Sequence, residues 1–253
     1  MNEFGVDTAF ANYLTQSAVD DIEYGIFRLT DLGAVGSGSS AYYNKTFTPD
    51  AACLPNMQIV QNNNKPAGMY FFSHAWNYES AAFEARLCCD QLDAWGFRPR
   101  LGVYLDFERL GQTGRTGGYE NLIYLGITPT PAVMQAIVTG WCDTICARGY
   151  KAGFYMNGDP IRATTDAWIQ QARFNASLGS PYFWLAQWSS VNDWDCDIWQ
   201  YRADQAFHGI NVDYNRVLNE RVLSGGGSKI PIWLMLKMAQ QRSDRSGKCT
   251  ILL

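Results

Sequence analysis

Charge is scarce in this chain. Only 17% of its 253 residues are Asp, Glu, Lys or Arg, against 47% hydrophobic. So little charge excludes a disordered chain, and the length suffices to bury one large α/β core. Basic residues fall short of acidic ones, 20 Lys and Arg against 24 Asp and Glu. That balance argues against a nucleic-acid partner, whose phosphates need a basic surface. Histidine is nearly missing. With only His74 and His208, a His-based zinc site or a Ser-His-Asp triad has little to draw on. No metal and no cofactor are expected. No apolar run approaches the ~18 residues of a membrane span. The start, Met1 to Asp7, lacks the basic and apolar regions of a secretory leader, which implies synthesis in a cytoplasm. The seven cysteines, Cys53, Cys88, Cys89, Cys142, Cys146, Cys196 and Cys249, are odd in number and irregularly spaced. Reduced thiols are expected. Cys142 and Cys146 lie four apart on an expected helix and read as core packing, because no second Cys/His pair accompanies them.

Aromatics, by contrast, are plentiful at 14%, with 9 Trp and 14 Tyr. Their faces stack on sugar rings, although most must fill the core. Apolar runs predict strands at Phe4–Asp7, Gly25–Leu29, Pro66–Ser73, Arg100–Asp106, Ala152–Met156, Tyr182–Trp188, Asp197–Tyr201 and Gly209–Asp213. Helical spacing of Ala81, Ala82, Ala85, Cys89 and Leu92 predicts a helix from Tyr78 to Trp95, stopped by Gly96. Pro131 opens another that closes at Gly149, and a third is expected over Asp166–Ala176. Gly33–Ser40 reads as a Gly/Ser-rich loop. Eight strands with intervening helices predict an α/β fold, an irregular (β/α)8-type barrel forming a single domain over residues 1–223.

The stretch Gly102-Val-Tyr-Leu-Asp-Phe-Glu108 carries the chemistry. It reads as a buried strand ending in two carboxylates. Residues two apart on a strand share a face, with Cα atoms about 6.5–7 Å apart. That is the scale on which two carboxylates flank one glycosidic bond. The bland alternative is a strand end with two solvated acids. In such barrels, residues at the C-terminal strand ends line the active face. Asp7, Ser73, Asp106, Glu108, Asn157, Gln187, Gln200 and Asp213 all lie at or just beyond expected strand ends. Tyr70, Trp76, Tyr155, Trp184, Trp188 and Trp199 are the sugar-stacking candidates, some of which must be core.

At this point the chain resembles glycoside hydrolase family 25, the lysozymes common among phage endolysins and bacterial autolysins. The family's opening Gly-(Ile/Val)-Asp is similar to Gly5-Val6-Asp7. Gly68-Met-Tyr-Phe-Phe72 resembles its Gly-x-Tyr-His-Phe strand, and Ala81-Ala-Phe-Glu-Ala85 the helix after it. Asp106-Phe-Glu108 matches the signature Asp-x-Glu. Phe154-Tyr-Met-Asn157, Trp184-Leu-Ala-Gln-Trp188, Trp199-Gln-Tyr201 and Val212-Asp-Tyr-Asn215 follow in family order. The departures are Phe71 where the family has His, with His74 three residues later, and Phe10 and Ala11 where a Trp is usual.

The resemblance implies a peptidoglycan hydrolase. It would cleave the β-1,4 bond between N-acetylmuramic acid and N-acetylglucosamine with net retention and without a metal. Glu108 would be the general acid, its pKa raised by Phe107, Tyr104 and Asp106. Asp106 would stay ionised as stabiliser, nucleophile or orienter of the substrate's N-acetyl group. Asp7 and Asp213 would be supporting carboxylates. Tyr70, Phe72, Ser73, Tyr155, Asn157, Trp184, Gln187, Trp188, Trp199 and Gln200 would bind substrate. The partner implied is bacterial peptidoglycan, and the setting a phage enzyme made in the host cytoplasm or carried in a virion to act on the wall. A non-catalytic wall-binding barrel and a glycosidase for another N-acetylglucosamine polymer are the alternatives. Residues 224–228 read as a Gly/Ser linker. Residues 229–253 form a tail with five basic residues against Asp244, suited to an anionic wall or membrane surface or simply passive.

Overall fold

Short apolar strands bounded by turn residues close into one barrel in the order β1 to β8. A computed structural model describes residues 3–32, 42–110, 117–157, 182–192 and 196–223. The elements are β1 (Glu3–Thr8), α1 (Gln16–Asp20), β2 (Tyr24–Asp31), α2 (Cys53–Asn62), β3 (Ala67–Phe72), α3 (Tyr78–Trp95) and β4 (Gly102–Asp106). They continue with α4 (Gly118–Tyr124), α5 (Pro131–Ala147), β5 (Ala152–Asn157), β6 (Tyr182–Ala186), β7 (Ile198–Phe207) and β8 (Ile210–Val217). Strands β1 to β7 run parallel. β8 is antiparallel to both of its neighbours, β7 and β1.

That reversal is the expected irregularity, and it comes from a hairpin. β7 runs past the expected end at Tyr201, because pairing with β8 keeps its polar second half extended. Register shifts around Arg202, with Asp204 at φ 53°, bend this ribbon. Its aromatics then pack against β1, with Phe4 meeting Phe207 and Tyr214 edge-on at 6.0 and 5.0 Å.

Alternation along each strand separates two apolar sets. Tyr24, Ile26, Tyr70, Tyr104, Tyr155, Trp184 and Ile198 fill the barrel interior. Phe71, Leu105, Phe154, Leu185 and Trp199 belong to the larger set shared with the helices. Gly153 makes room inside, since a Cβ there would lie 2.4 Å from the Tyr104 ring.

Both long helices follow their end signals. Asn77 accepts from the Ser80 amide (2.8 Å) at the start of α3, and Gly96 closes it at φ 62°. Thr130 caps α5 ahead of Pro131. Gly140 of α5 lets the two helices meet closely, as its Cβ would sit 2.2 Å from the Tyr78 carbonyl oxygen. Helix α2 was not expected, although Cys53, Asn56, Met57 and Val60 form a buried stripe at helical spacing. No helix among the described residues is long and apolar enough to cross a membrane. The expected loop at 33–40, helix at 166–176, linker at 224–228 and tail at 229–253 lie outside the described residues.

The six cysteines among the described residues form no disulfide with one another, and Cys53, Cys88, Cys89 and Cys196 are buried. Burial pushes the Cys88 thiol well above its ordinary value, which leaves little reactive thiolate. Alkylation of the folded protein is therefore expected to spare Cys53 and Cys88, and denaturation to expose them as free thiols. Two or more intact bridges found by mass spectrometry would overturn this.

Candidate active site

Strand alternation carries four carboxylates to one end of the barrel. Asp7 of β1 faces Asp213 of β8 across the antiparallel ladder. Asp106 ends β4, beside Phe72 of β3 and Tyr155 of β5. Glu108 follows two residues on and is hydrogen-bonded to both Asp106 and Tyr155. Asp7 and Asp106 are buried at 4% exposure, whereas Glu108 and Asp213 are partly exposed. Of the Asp106/Glu108 pair, then, Glu108 is the member that reaches solvent.

So much negative charge in a desolvated place favours protons. Burial, chiefly, pushes Glu108 up to about 7, with the Asp213 charge adding to it. Asp213 rises to about 6 through burial, and the Asp204 amide (2.8 Å) holds it lower than it would otherwise be. Asp7 rises through burial and the Asp213 charge, against donors on Asn215 and Gln200. The expectation of an always-ionised Asp106 needs correction. Burial and the charges of Glu108 and Asp7 raise its carboxyl well above the usual range, while Arg28 pulls the other way. The hydrogen bond between Asp106 and Glu108 makes the protonation of each depend on the other. Asp106 Oδ1 is buried and makes no hydrogen bond.

Gln200 ties this cluster together. Its Nε2 donates to Asp7 Oδ2 (2.9 Å) and Asp213 Oδ2 (3.2 Å). Its Oε1 accepts from the Tyr155 hydroxyl and Trp188 Nε1, both at 3.1 Å. Asn215, two residues after Asp213, donates to Asp7 Oδ2 (2.6 Å) and accepts from Trp184 Nε1 (2.8 Å). Arg28 continues the inward series Tyr24, Ile26 on β2 and pairs in register with Tyr70. Asp50 grips it through two bonds of 2.7 and 3.2 Å. An Arg ending an apolar strand was the available signal for Arg28. Asp50, in a loop without periodicity, offered none.

The substrate-binding candidates divide by strand face. Trp188 is 60% exposed at the rim, and Phe72 is partly exposed. Tyr70, Tyr155 and Trp184 form the floor, where Trp184 meets the other two edge-on at 5.8 and 4.5 Å. Their rings are too buried for stacking on a sugar. The alternation turns Ser73, Gln187 and Trp199 away from the acids. Trp199 packs in the outer core and donates to the Gln187 carbonyl at 2.8 Å. Gln187 is itself buried. Trp76 packs against Tyr42 at 5.0 Å. Of Asn157, the structure places the backbone, at the end of β5 beside Ala186.

Ser73 instead serves a buried acid missed in the sequence. Its hydroxyl donates to Glu84 of α3 (2.5 Å), as do the Tyr42 hydroxyl and the His74 amide. Burial raises Glu84 to about 7 despite these donors. The Ser73 amide also donates to the Asp106 carbonyl at 2.8 Å. Glu84 thereby anchors the turn that holds the end of β4.

The family profile of glycosyl hydrolases family 25 matches residues 37–210. That span includes Asp106, Glu108 and Gln200 and stops short of Asp7 and Asp213. A search of curated proteins by sequence finds no match. Among solved structures, the modular autolysin LytC of Streptococcus pneumoniae superposes with TM-score 0.60 at 16% identity, over 85% of this chain and 46% of that one. This chain therefore spans about half the length of LytC, which has also been solved with a synthetic peptidoglycan ligand. The catalytic domain of endolysin ply40, from bacteriophage P40 of Listeria monocytogenes, matches at TM-score 0.57 and 15% identity, over 90% and 98% of the two chains. The spore cortex lytic enzyme SleM of Clostridium perfringens matches at 0.61 and 14%, over 85% and 67%.

Proposed function

This chain belongs to glycosyl hydrolases family 25, and on that premise we propose that it is a muramidase. Its substrate would be the β-1,4 bond between N-acetylmuramic acid and N-acetylglucosamine in bacterial peptidoglycan. The observation that carries this reading is the Asp106/Glu108 pair. One carboxyl is buried, the other reaches the solvent, a hydrogen bond joins them, and burial keeps Glu108 protonated up to about pH 7.

Glu108 gives that proton to the glycosidic oxygen as the bond to the anomeric carbon breaks. Asp106, left ionised, stabilises the oxocarbenium-like state. Its unpartnered Oδ1 suits either attack on the anomeric carbon or acceptance of the substrate's acetamido N–H. Glu108 then takes a proton from the incoming water, and two displacements give net retention. Asp7 and Asp213, held by Gln200 and Asn215, flank the reacting carbon. Trp188 and Phe72 are the rim residues most open to the glycan.

Digestion of purified cell walls with mass analysis of the new reducing ends tests this. Muramic acid ends are expected. Glucosamine ends, or cleavage of chitin instead, would point to another glycosidase, and binding without turnover to a wall-recognition barrel. The fold shared with the ply40 endolysin domain supports a setting in phage lysis. The basic tail at 229–253 is proposed to draw the enzyme to anionic wall polymers. Deleting residues 225–253 is expected to leave hydrolysis of soluble fragments unchanged and to weaken lysis of intact cells, most at low salt. Unchanged lysis at every ionic strength would make the tail passive.

A further inference from the structure

One aromatic ring at the active end is held in a way that folding alone does not require. Phe10 comes three residues after Asp7, just beyond β1. Its backbone φ of 59° is left-handed, a costly conformation for a bulky residue. The residue is 61% exposed, so burial of the ring does not offset that cost. Two contacts hold it instead. The Phe10 amide donates to Asp50 Oδ2 (2.9 Å), and the Arg28 guanidinium lies 3.8 Å from the ring centre. Asp50 also grips Arg28, so the three residues form one unit. Arg28 stands on the inner face of the barrel, and its charge is felt at Asp106, which ties the unit to the carboxylate cluster.

We propose that Phe10 is a glycan platform on which one pyranose ring of the substrate strand stacks, next to the carboxylates; this rests on the muramidase reading above. Arg28 already occupies one face of the ring, which disfavours a second cation on the other. The uncharged C–H face of a sugar suits what remains open. A ring fixed in advance also loses little freedom when the sugar arrives. The strained φ maintains that fixed position.

The test uses a soluble tetrasaccharide of alternating N-acetylglucosamine and N-acetylmuramic acid, bound to the full chain carrying Glu108→Gln so that it is not consumed. Phe10→Gly removes the ring and relieves the backbone. It is expected to melt no lower than the parent and to bind about tenfold more weakly, the scale of one aromatic stacking contact. Phe10→Leu keeps bulk over Arg28 without a flat face and should lose the same affinity, and Phe10→Trp should restore it. Parental affinity in folded Phe10→Gly or Phe10→Leu overturns the platform and leaves the muramidase reading standing. A lower melting point for Phe10→Gly together with parental binding by Phe10→Leu makes the ring a structural clamp. If the unmodified chain neither binds the tetrasaccharide nor cleaves walls, the muramidase reading falls and the platform with it.

Discussion

Replacing Glu108 with Gln is expected to slow hydrolysis by at least ~10²-fold, the lower range for a general acid, and to stabilise the protein above pH 7. Both effects come from one proton. Glu108 holds it up to about pH 7 in the folded chain, against an ordinary value of 4.5. The folded state therefore binds this proton more tightly than the unfolded state. Stability from Glu108 is full below about pH 4.5 and falls as the pH rises towards 7, where the buried group must ionise. A shift of that size corresponds to about 3 kcal/mol, shared with Asp106 and Asp213 because the groups interact. Gln cannot ionise, so the variant should melt higher than the parent at pH 8, by roughly 5–10 °C. At pH 4 the two should nearly coincide. Turnover of walls and thermal melts at the two pH values check both halves. Near-normal turnover by folded Glu108→Gln would remove Glu108 from the reaction, and equal melting points at pH 8 would show its proton is not held by burial.

The same proton shapes the pH profile. Activity should fall above about pH 7 as Glu108 loses it, and fall below about pH 6 as Asp213 is protonated. The two limbs lie close together because the four acids share one poorly solvated site.

What was legible in the sequence followed strand period and end signals. The apolar runs located all eight strands, and Gly96, Pro131 and Gly149 marked ends of the two long helices. The four acids were legible from expected strand ends, although Asp213 lies mid-strand in β8 and meets Asp7 through the antiparallel ladder. The face of each aromatic follows from the same strand period. Tyr70 and Trp184 point inwards and Trp199 outwards, which a strict two-residue alternation from Gln200 and Asp106 would have assigned. The antiparallel sense of β8 was hidden because Arg202 to Gln205 lacks an apolar run, and only pairing with β8 keeps this second half of β7 extended. Asp50 was beyond sequence reasoning altogether, since its partners Arg28 and Phe10 come from two other segments.

Gln200 is the residue whose loss should do most damage without removing an acid. It is 2% exposed, and both ends of its amide are occupied by protein groups. That makes it a positioning residue more than a direct ligand for the glycan. Gln200→Leu keeps the volume, removes one of the Tyr155 hydroxyl's two partners and Trp188 Nε1's acceptor, and leaves Asp7 and Asp213 without a shared donor. An unsatisfied buried polar group costs about 1–3 kcal/mol, so a loss of roughly 2–4 kcal/mol in stability is expected. Because Gln200 lowers the Asp7 carboxyl, removing it should also hold Asp7 protonated to higher pH. We expect kcat to fall by about 10–100-fold, the scale of losing orientation at a reacting centre, with a smaller change in KM. Gln200→Glu offers a sharper contrast, because it keeps the shape and places a fifth carboxyl against Asp7 and Asp213. It should be less active than Gln200→Leu and recover partly at low pH, where the added acid is neutral. A Gln200→Leu protein with the parental kcat would show that Asp7 and Asp213 keep their places without it, and that the amide serves packing alone.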